Sequence, residues 1–236
     1  TIAAIPVPME EASRFGVVIT DGEDRITEFE EKPPQPRSNL ASMGIYIFSW
    51  PVLRDSLIAL KDQSNCDFGK HIIPYLHEKG SPMYAYEFNS YWKDVGTLGS
   101  YWEANMELID LIPEFNLYEE LWKIYTNQAI IEPQFVAENA VVEKAIIGAG
   151  AQIYGEVYSS VLGAGVVIEE GAVVRDSIIM AGTKIGKNVL VDKGIIAEDC
   201  VIGDNAQLGV GEEAESKLNM GVYSFGLVVV GENSVI

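Results

Sequence analysis

The sequence predicts an α/β domain over residues 1–125, followed by a parallel β-helix of hexapeptide repeats over residues 126–236. Two observations carry this reading. In the second region, aliphatic residues return every six positions: Leu162, Ile168 and Val174, then Ile179, Ile185 and Val191, then Ile196, Ile202 and Leu208. In the first, short apolar strands alternate with stripes of helical period, and charged groups stand where strands end, as in a sheet that carries its site along one edge.

Residues 2–7 read as a buried strand and residues 10–14 as a turn. Phe15 to Ile19 is a second β-branched run, in which Gly16 marks either a close approach to the backbone or a bulge. Asp21-Gly22 is a hairpin signal. The strand it opens alternates polar and apolar over residues 25–30, with Ile26 and Phe29 as the larger apolar groups. Pro33-Pro34 cannot continue a ladder, so this strand stops at Lys32. The stretch Phe29-Glu30-Glu31-Lys32-Pro33 therefore sets a lysine and two acids at a strand end. Lys32 can act there as a point charge for a phosphate, and the adjacent carboxylate can accept from sugar hydroxyls. A solvated Glu-Lys pair at a loop mouth has the same sequence.

Residues 33–40 form a proline-rich loop, and Ala41 to Phe48 a buried strand. Ser42 at its start either caps a turn or faces the pocket of Lys32. Pro51 pre-sets a helix whose apolar face is Val52, Leu53, Leu57 and Leu60. Asp67 caps a second helix that turns Ile72, Ile73 and Leu76 inward. His71 and His77, the two histidines of the chain, read as surface residues. Residues 83–88 form another strand. In Tyr91-Trp92-Lys93-Asp94-Val95-Gly96-Thr97, an aspartate before a glycine turn suits a hard cation such as Mg²⁺, or simply caps the turn. The helix that follows buries Leu98, Trp102, Met106 and Ile109. The region contains no Gly-rich phosphate loop.

Residues 111–125 read as a linker with aromatic anchors. The β-helix grammar after it is reinforced by aliphatic-Gly pairs (Ile147-Gly148, Leu162-Gly163, Ile185-Gly186, Ile202-Gly203, Leu208-Gly209) and by small or branched residues at the fifth position of each hexad (Ala151, Val166, Ala172, Thr183, Val189, Cys200, Ala206). The sets begin 17 residues apart. Cys200 falls on a packing position and reads as buried filler. Residues 211–223 break the period as a loop between coils, and the repeat resumes at Leu227.

The formal net charge of −19 argues against nucleic acid as a partner, because phosphate-backbone binding needs a basic face. No apolar run approaches the ~18 residues of a membrane span, and no charged-then-apolar leader is present. Cys66 and Cys200 set neither a disulfide framework nor a metal spacing, which suits a reducing cytoplasm. The chain opens in mid-strand without a methionine and stops inside a repeat, so it is expected to be part of a longer protein.

Five segments together resemble the sugar-1-phosphate nucleotidylyltransferases, most closely their glucose-1-phosphate adenylyltransferase branch. They are EEASRFGVV (10–18), FEEKP (29–33), SNLASMGIYIF (38–48), DFGKHIIP (67–74) and YWKDVGTLGSYWEANMELI (91–109). FEEKP is shared widely among sugar nucleotidyltransferases, and the third and fifth segments are more specific. The resemblance implies that residues 1–125 are the second part of a nucleotidyltransferase-type catalytic domain and that the β-helix is left-handed. It implies that the Gly16 backbone, Glu31, Lys32 and Ser42 contact glucose 1-phosphate, with Lys32 on the phosphate, and that Asp94 binds Mg²⁺. The implied reaction, in glycogen or starch synthesis, joins ATP and glucose 1-phosphate into ADP-glucose and pyrophosphate.

The family's glycine-rich nucleotide loop and its other metal aspartate would precede Thr1, so these 236 residues alone are expected not to turn over. His71 departs from the pattern, which has an acid there. A homotetramer tuned by small-molecule effectors is also implied. The alternatives are a non-catalytic regulatory subunit and an enzyme using another nucleoside triphosphate. Acyl transfer by the β-helix is disfavoured, since those enzymes use a histidine base and none follows His77.

Overall fold

The structure, a computed structural model, describes residues 1–125, 130–209 and 226–236. The chain forms two compact units, Thr1–Ser90 and Tyr91–Ile236.

The first unit is built on a mixed five-stranded sheet. Its strands are β1 (Ile2–Pro6), β2 (Gly16–Thr20), β3 (Ile26–Glu31), β4 (Leu40–Tyr46) and β5 (Ala85–Glu87), in the order β3-β2-β4-β1-β5. Only β1 and β5 run parallel; β1 with β4, β2 with β4 and β2 with β3 are antiparallel. The charged strand end read from the sequence therefore lies in an antiparallel part of the sheet. Antiparallel pairing sets Gly16, the first residue of β2, opposite Glu31, the last of β3. The Asp21-Gly22 turn closes this hairpin, with Asp21 Oδ1 accepting the backbone N–H groups of Glu23 and Arg25.

Helices α1 (Trp50–Ala59) and α2 (Ile73–Glu78) complete the unit, and a wide π-type turn, Phe68–Ile72, leads directly into α2. Ile72, Ile73 and Leu76 are buried against Ile2, Val18 and Ile26, as the sequence pattern predicts. The face of α1 departs from expectation. Leu53 and Leu60 join the core, but Val52 and Leu57 are 42% and 40% exposed. The inward stripe runs Leu53, Ser56, Leu60, and Ser56 is buried because its hydroxyl donates to the Val52 carbonyl at 2.8 Å. A satisfied serine hides that face from a hydrophobic count.

In the second unit, three parallel five-strand sheets stack into a β-helix. Ile153, Ile168, Ile185 and Ile202 line one wall, Val157, Val174 and Val191 another, and Leu162, Ile179 and Ile196 the third, all buried. Register confirms the 17-residue step for Val161, Ile178 and Ile195. The coil from Ile146 to Val161 is two residues shorter. It is shortened at one corner, where Gly155 passes so tightly under the next coil that a Cβ would stand 2.7 Å from the Glu169 carbonyl oxygen. Cys200 is fully buried, as expected for filler. The interrupting loop expected at residues 211–223 lies outside the described residues; beyond it Val228–Val230 rejoins the stack beside Gly194–Ile196.

Helix α3 (Leu98–Leu108) begins with a capping box between Thr97 and Ser100. Tyr101, Trp102 and Met106 pack against Ile178, Ile195 and Leu227 of the β-helix, and Trp102 Nε1–H donates to the Asp176 carbonyl at 2.7 Å. Leu98, expected in that stripe, is 47% exposed. This packing groups α3 with the β-helix, so the compact units divide earlier in the chain than the 125/126 boundary read from periodicity.

Candidate active site

The end of β3 carries the densest chemistry of the first unit. Alternation along β3 points Ile26 into the core, and the ladder with β2 brings Glu31 over Gly16. At Gly16 a Cβ would stand 2.8 Å from Glu31 Oε2 and 2.7 Å from the Phe29 ring. A second glycine, Gly69 in the turn before α2, closes the other side: its Cβ would stand 2.9 Å from Glu31 Cδ. The Glu31 carboxylate thus lies in a slot between two residues without side chains. Burial pushes its carboxyl above the ordinary glutamate range. The charge of Asp67 adds to the rise, and the cations Lys32 and Lys70 oppose it.

Lys32 is exposed and left-handed at φ 47°, directly before Pro33. Its backbone N–H donates to the Phe15 carbonyl at 3.1 Å, which ties this unusual conformation to the sheet. Ser42 is buried in β4, one residue further along its strand than expected. Its Oγ accepts the Gly44 N–H at 3.3 Å within β4 itself, and its hydroxyl also hydrogen-bonds the Tyr46 phenol. Burial raises the Tyr46 pKa, the Ser42 bond pulls the other way, and the charges of Glu31 and Asp67 add to the rise. Tyr46 in turn stacks on Phe68 with ring centroids 5.4 Å apart. Ser42, Tyr46, Glu31, Asp67 and Gly69 are therefore one neighbourhood.

Asp67 caps its turn as expected, accepting the Lys70 N–H at 2.8 Å. His71, placed by sequence on the surface, receives the Asp67 N–H on Nδ1 at 3.0 Å. His77 Nε2 lies 2.8 Å from the Thr27 carbonyl.

Asp94 belongs to the second unit. It lies in the segment before α3, and its carboxylate folds over Gly96, where a Cβ would stand 3.1 Å from Oδ2. The neighbouring residues are pinned to α3. Lys93 Nζ lies 2.8 Å from Glu107 Oε1 and 3.2 Å from Glu103 Oε2, and Tyr91 O–H donates to Glu107 Oε2 at 2.9 Å. Burial of Lys93 opposes its charge, but its bonds to Glu107 and Glu103 outweigh this and raise its pKa.

Sequence reasoning missed Gly69, Tyr46 and Glu107 as parts of these clusters. Gly69 carries a readable signal, an isolated glycine within a helical pattern. Among the described residues, no group of three or more His, Cys, Asp or Glu side chains is arranged to hold a metal, and no helix is long and apolar enough to cross a membrane.

Comparison with known proteins finds a separate likeness for the sheet region and for the hexapeptide β-helix. Residues 1–110 match the family model described as nucleotidyl transferase, and residues 128–230 match the GlmU-like C-terminal hexapeptide. The chain is 66% identical over 236 residues to a glucose-1-phosphate adenylyltransferase of Lachnospira eligens. It is 47% identical over 238 residues to that of Acetivibrio thermocellus and 52% over 239 residues to that of Thermotoga maritima. Each alignment covers all of this chain and 56% of the relative, so the chain spans little more than half their length. The likeness to the glucose-1-phosphate adenylyltransferases runs along the whole length of this chain, and the nucleotidyl transferase match falls on its first 110 residues.

Proposed function

We propose that this chain is the sugar-phosphate half of a glucose-1-phosphate adenylyltransferase, which joins ATP and glucose 1-phosphate into ADP-glucose and pyrophosphate. The observation that carries the reading is the Glu31 carboxylate held between Gly16 and Gly69 beside the exposed Lys32. Lys32 meets the phosphate as a compact charge, and Glu31 accepts from sugar hydroxyls. Gly16 presents its backbone at the same edge, and Ser42 orients the Tyr46 wall. The sugar phosphate oxygen attacks the α-phosphorus of ATP in line, and pyrophosphate leaves. Such a step needs positioning and charge neutralisation and no covalent intermediate.

Mg²⁺ is held through one or two carboxylates together with substrate phosphates and water. A single carboxylate, Asp94, fits that donor set better than it would fit a metal cage built wholly of protein. When bound, the ion neutralises phosphate charge. The functional domains we assign are 1–125 and 126–236, and we read the β-helix as the platform for a homotetramer responsive to small-molecule effectors in the cytoplasm.

The test is pyrophosphate release by the full-length protein from glucose 1-phosphate and Mg²⁺ with each of ATP, UTP, GTP and dTTP. Release with ATP alone is expected. Release with another nucleotide would change the base specificity, and none at all would point to a regulatory subunit.

A further inference from the structure

We propose that Gly69 is a positioning residue for sugar-phosphate recognition: its missing side chain leaves the space in which the Glu31 carboxylate is held. The proposal rests on the reading of Glu31 as a sugar contact and extends it to the opposite wall of the slot.

The two glycines that flank Glu31 differ in what a methyl group would meet. At Gly16 it would strike the Phe29 ring, which packs against the core, as well as the carboxylate. A substitution there disturbs the fold and the site together. At Gly69 every close atom belongs to the end of one side chain: Glu31 Cδ at 2.9 Å, Oε1 at 3.4 Å, and Oε2 closer still. That end is flexible, so the methyl group displaces the carboxylate and leaves the backbone in place. Gly69 stands in a helical turn and, unlike Gly44 and Gly80, does not have a positive φ. Alanine is thus conformationally acceptable there, and helical backbone favours it over glycine. A glycine where alanine would suit the backbone, with a carboxylate filling the vacant space, is a residue retained for the carboxylate.

The experiment is steady-state kinetics of the full-length enzyme carrying Gly69→Ala, with Glu31→Asp and the double variant completing a cycle. Gly69→Ala is expected to raise KM for glucose 1-phosphate by about tenfold or more, with kcat and KM for ATP within about threefold, and with no fall in melting temperature. The acid limb of kcat/KM should move to lower pH, because the displaced carboxylate regains water and loses its raised pKa; a purely structural defect does not move that limb. The double variant should be less impaired than the two single effects multiplied, since the shorter side chain vacates the contested space.

An active wild type with an unchanged Gly69→Ala KM, or strictly multiplicative effects, would overturn the proposal alone. A wild type inactive with every nucleotide would overturn the underlying reading and the proposal with it. If Gly69→Ala fails to fold, folding of the double variant supports the contact and failure of both refutes it.

Discussion

Gly16 and Glu31 face each other at the open end of the β2–β3 hairpin, and the Glu31 carboxylate occupies the space above Gly16 that any side chain would fill. The carboxyl is held above the ordinary glutamate range by burial, so the folded chain binds its proton more tightly than the unfolded chain does. Its contribution to stability is therefore present below the ordinary glutamate range and is lost as pH rises through the raised value. Glu31→Gln removes that loss. The variant should melt at the same temperature as wild type near pH 4 and above it at pH 7, while KM for glucose 1-phosphate rises about tenfold. Melting curves across pH check the first part; equal curves at pH 7 would show that the slot does not strain the charge.

Lys32 should act on ground-state binding of the sugar phosphate. A charge-assisted contact to phosphate is worth about 1.5–3 kcal/mol, so Lys32→Ala should raise KM for glucose 1-phosphate by about 10–100-fold. KM for ATP should change little. Because the left-handed backbone at Lys32 is tied by its own N–H to Phe15, the alanine variant should fold normally. A loss confined to kcat would move Lys32 from substrate binding to the transition state.

The core of the β-helix was readable because its signal is local: every sixth residue is aliphatic, and Ile153, Ile168, Ile185 and Ile202 are all buried. The 15-residue coil was not, since the tight corner at Gly155 shortens the repeat without altering its hydrophobic pattern. In α1 the period misled, because the buried Ser56 carries its own partner and Val52 and Leu57 turn outward. Gly16 could be read as a place of close approach, but not that the approaching groups are Phe29 and Glu31. Gly69 stands out as an isolated glycine in a helical pattern, but its reason does not, because the group that needs its space is 38 positions away in sequence and meets it only in the fold.

Glu107 should tune the proposed cation site without touching the cation. It receives Tyr91 on one oxygen and Lys93 on the other, and so fixes both residues that flank Trp92, just before Asp94. Glu107→Ala removes the Tyr91 anchor and the shorter of the two Lys93 contacts, leaving Lys93 only Glu103 on α3. The Mg²⁺ concentration for half-maximal activity should rise several-fold, with the saturated rate closer to wild type. An unchanged Mg²⁺ requirement would show that the Asp94 segment holds its shape without Glu107.

Ser177 tests how the β-helix corners are held. The Ser177 N–H donates to Ser160 Oγ at 3.1 Å, and Ser177 Oγ accepts the Gly194 N–H at 2.9 Å while donating to the Arg175 carbonyl at 2.6 Å. Each corner thus hands a buried backbone donor to the serine of the preceding coil, one 17-residue step back. Preceding residues Ser159, Asp176 and Lys193 all take positive φ, which turns the chain into the next wall. Ser177→Ala leaves the Gly194 N–H unpaired in a site that water does not reach, at a cost of about 1–3 kcal/mol. The melting temperature of the full-length protein should fall by roughly 2–8 °C, with KM for glucose 1-phosphate unchanged. Ser160→Ala should do the same through Ser177 N–H, whereas alanine at the exposed Glu170 should not. Equal stability of Ser177→Ala and wild type would mean that the corner relaxes enough to satisfy Gly194 elsewhere, and the serine ladder would then be a consequence of the coil geometry and not one of its supports.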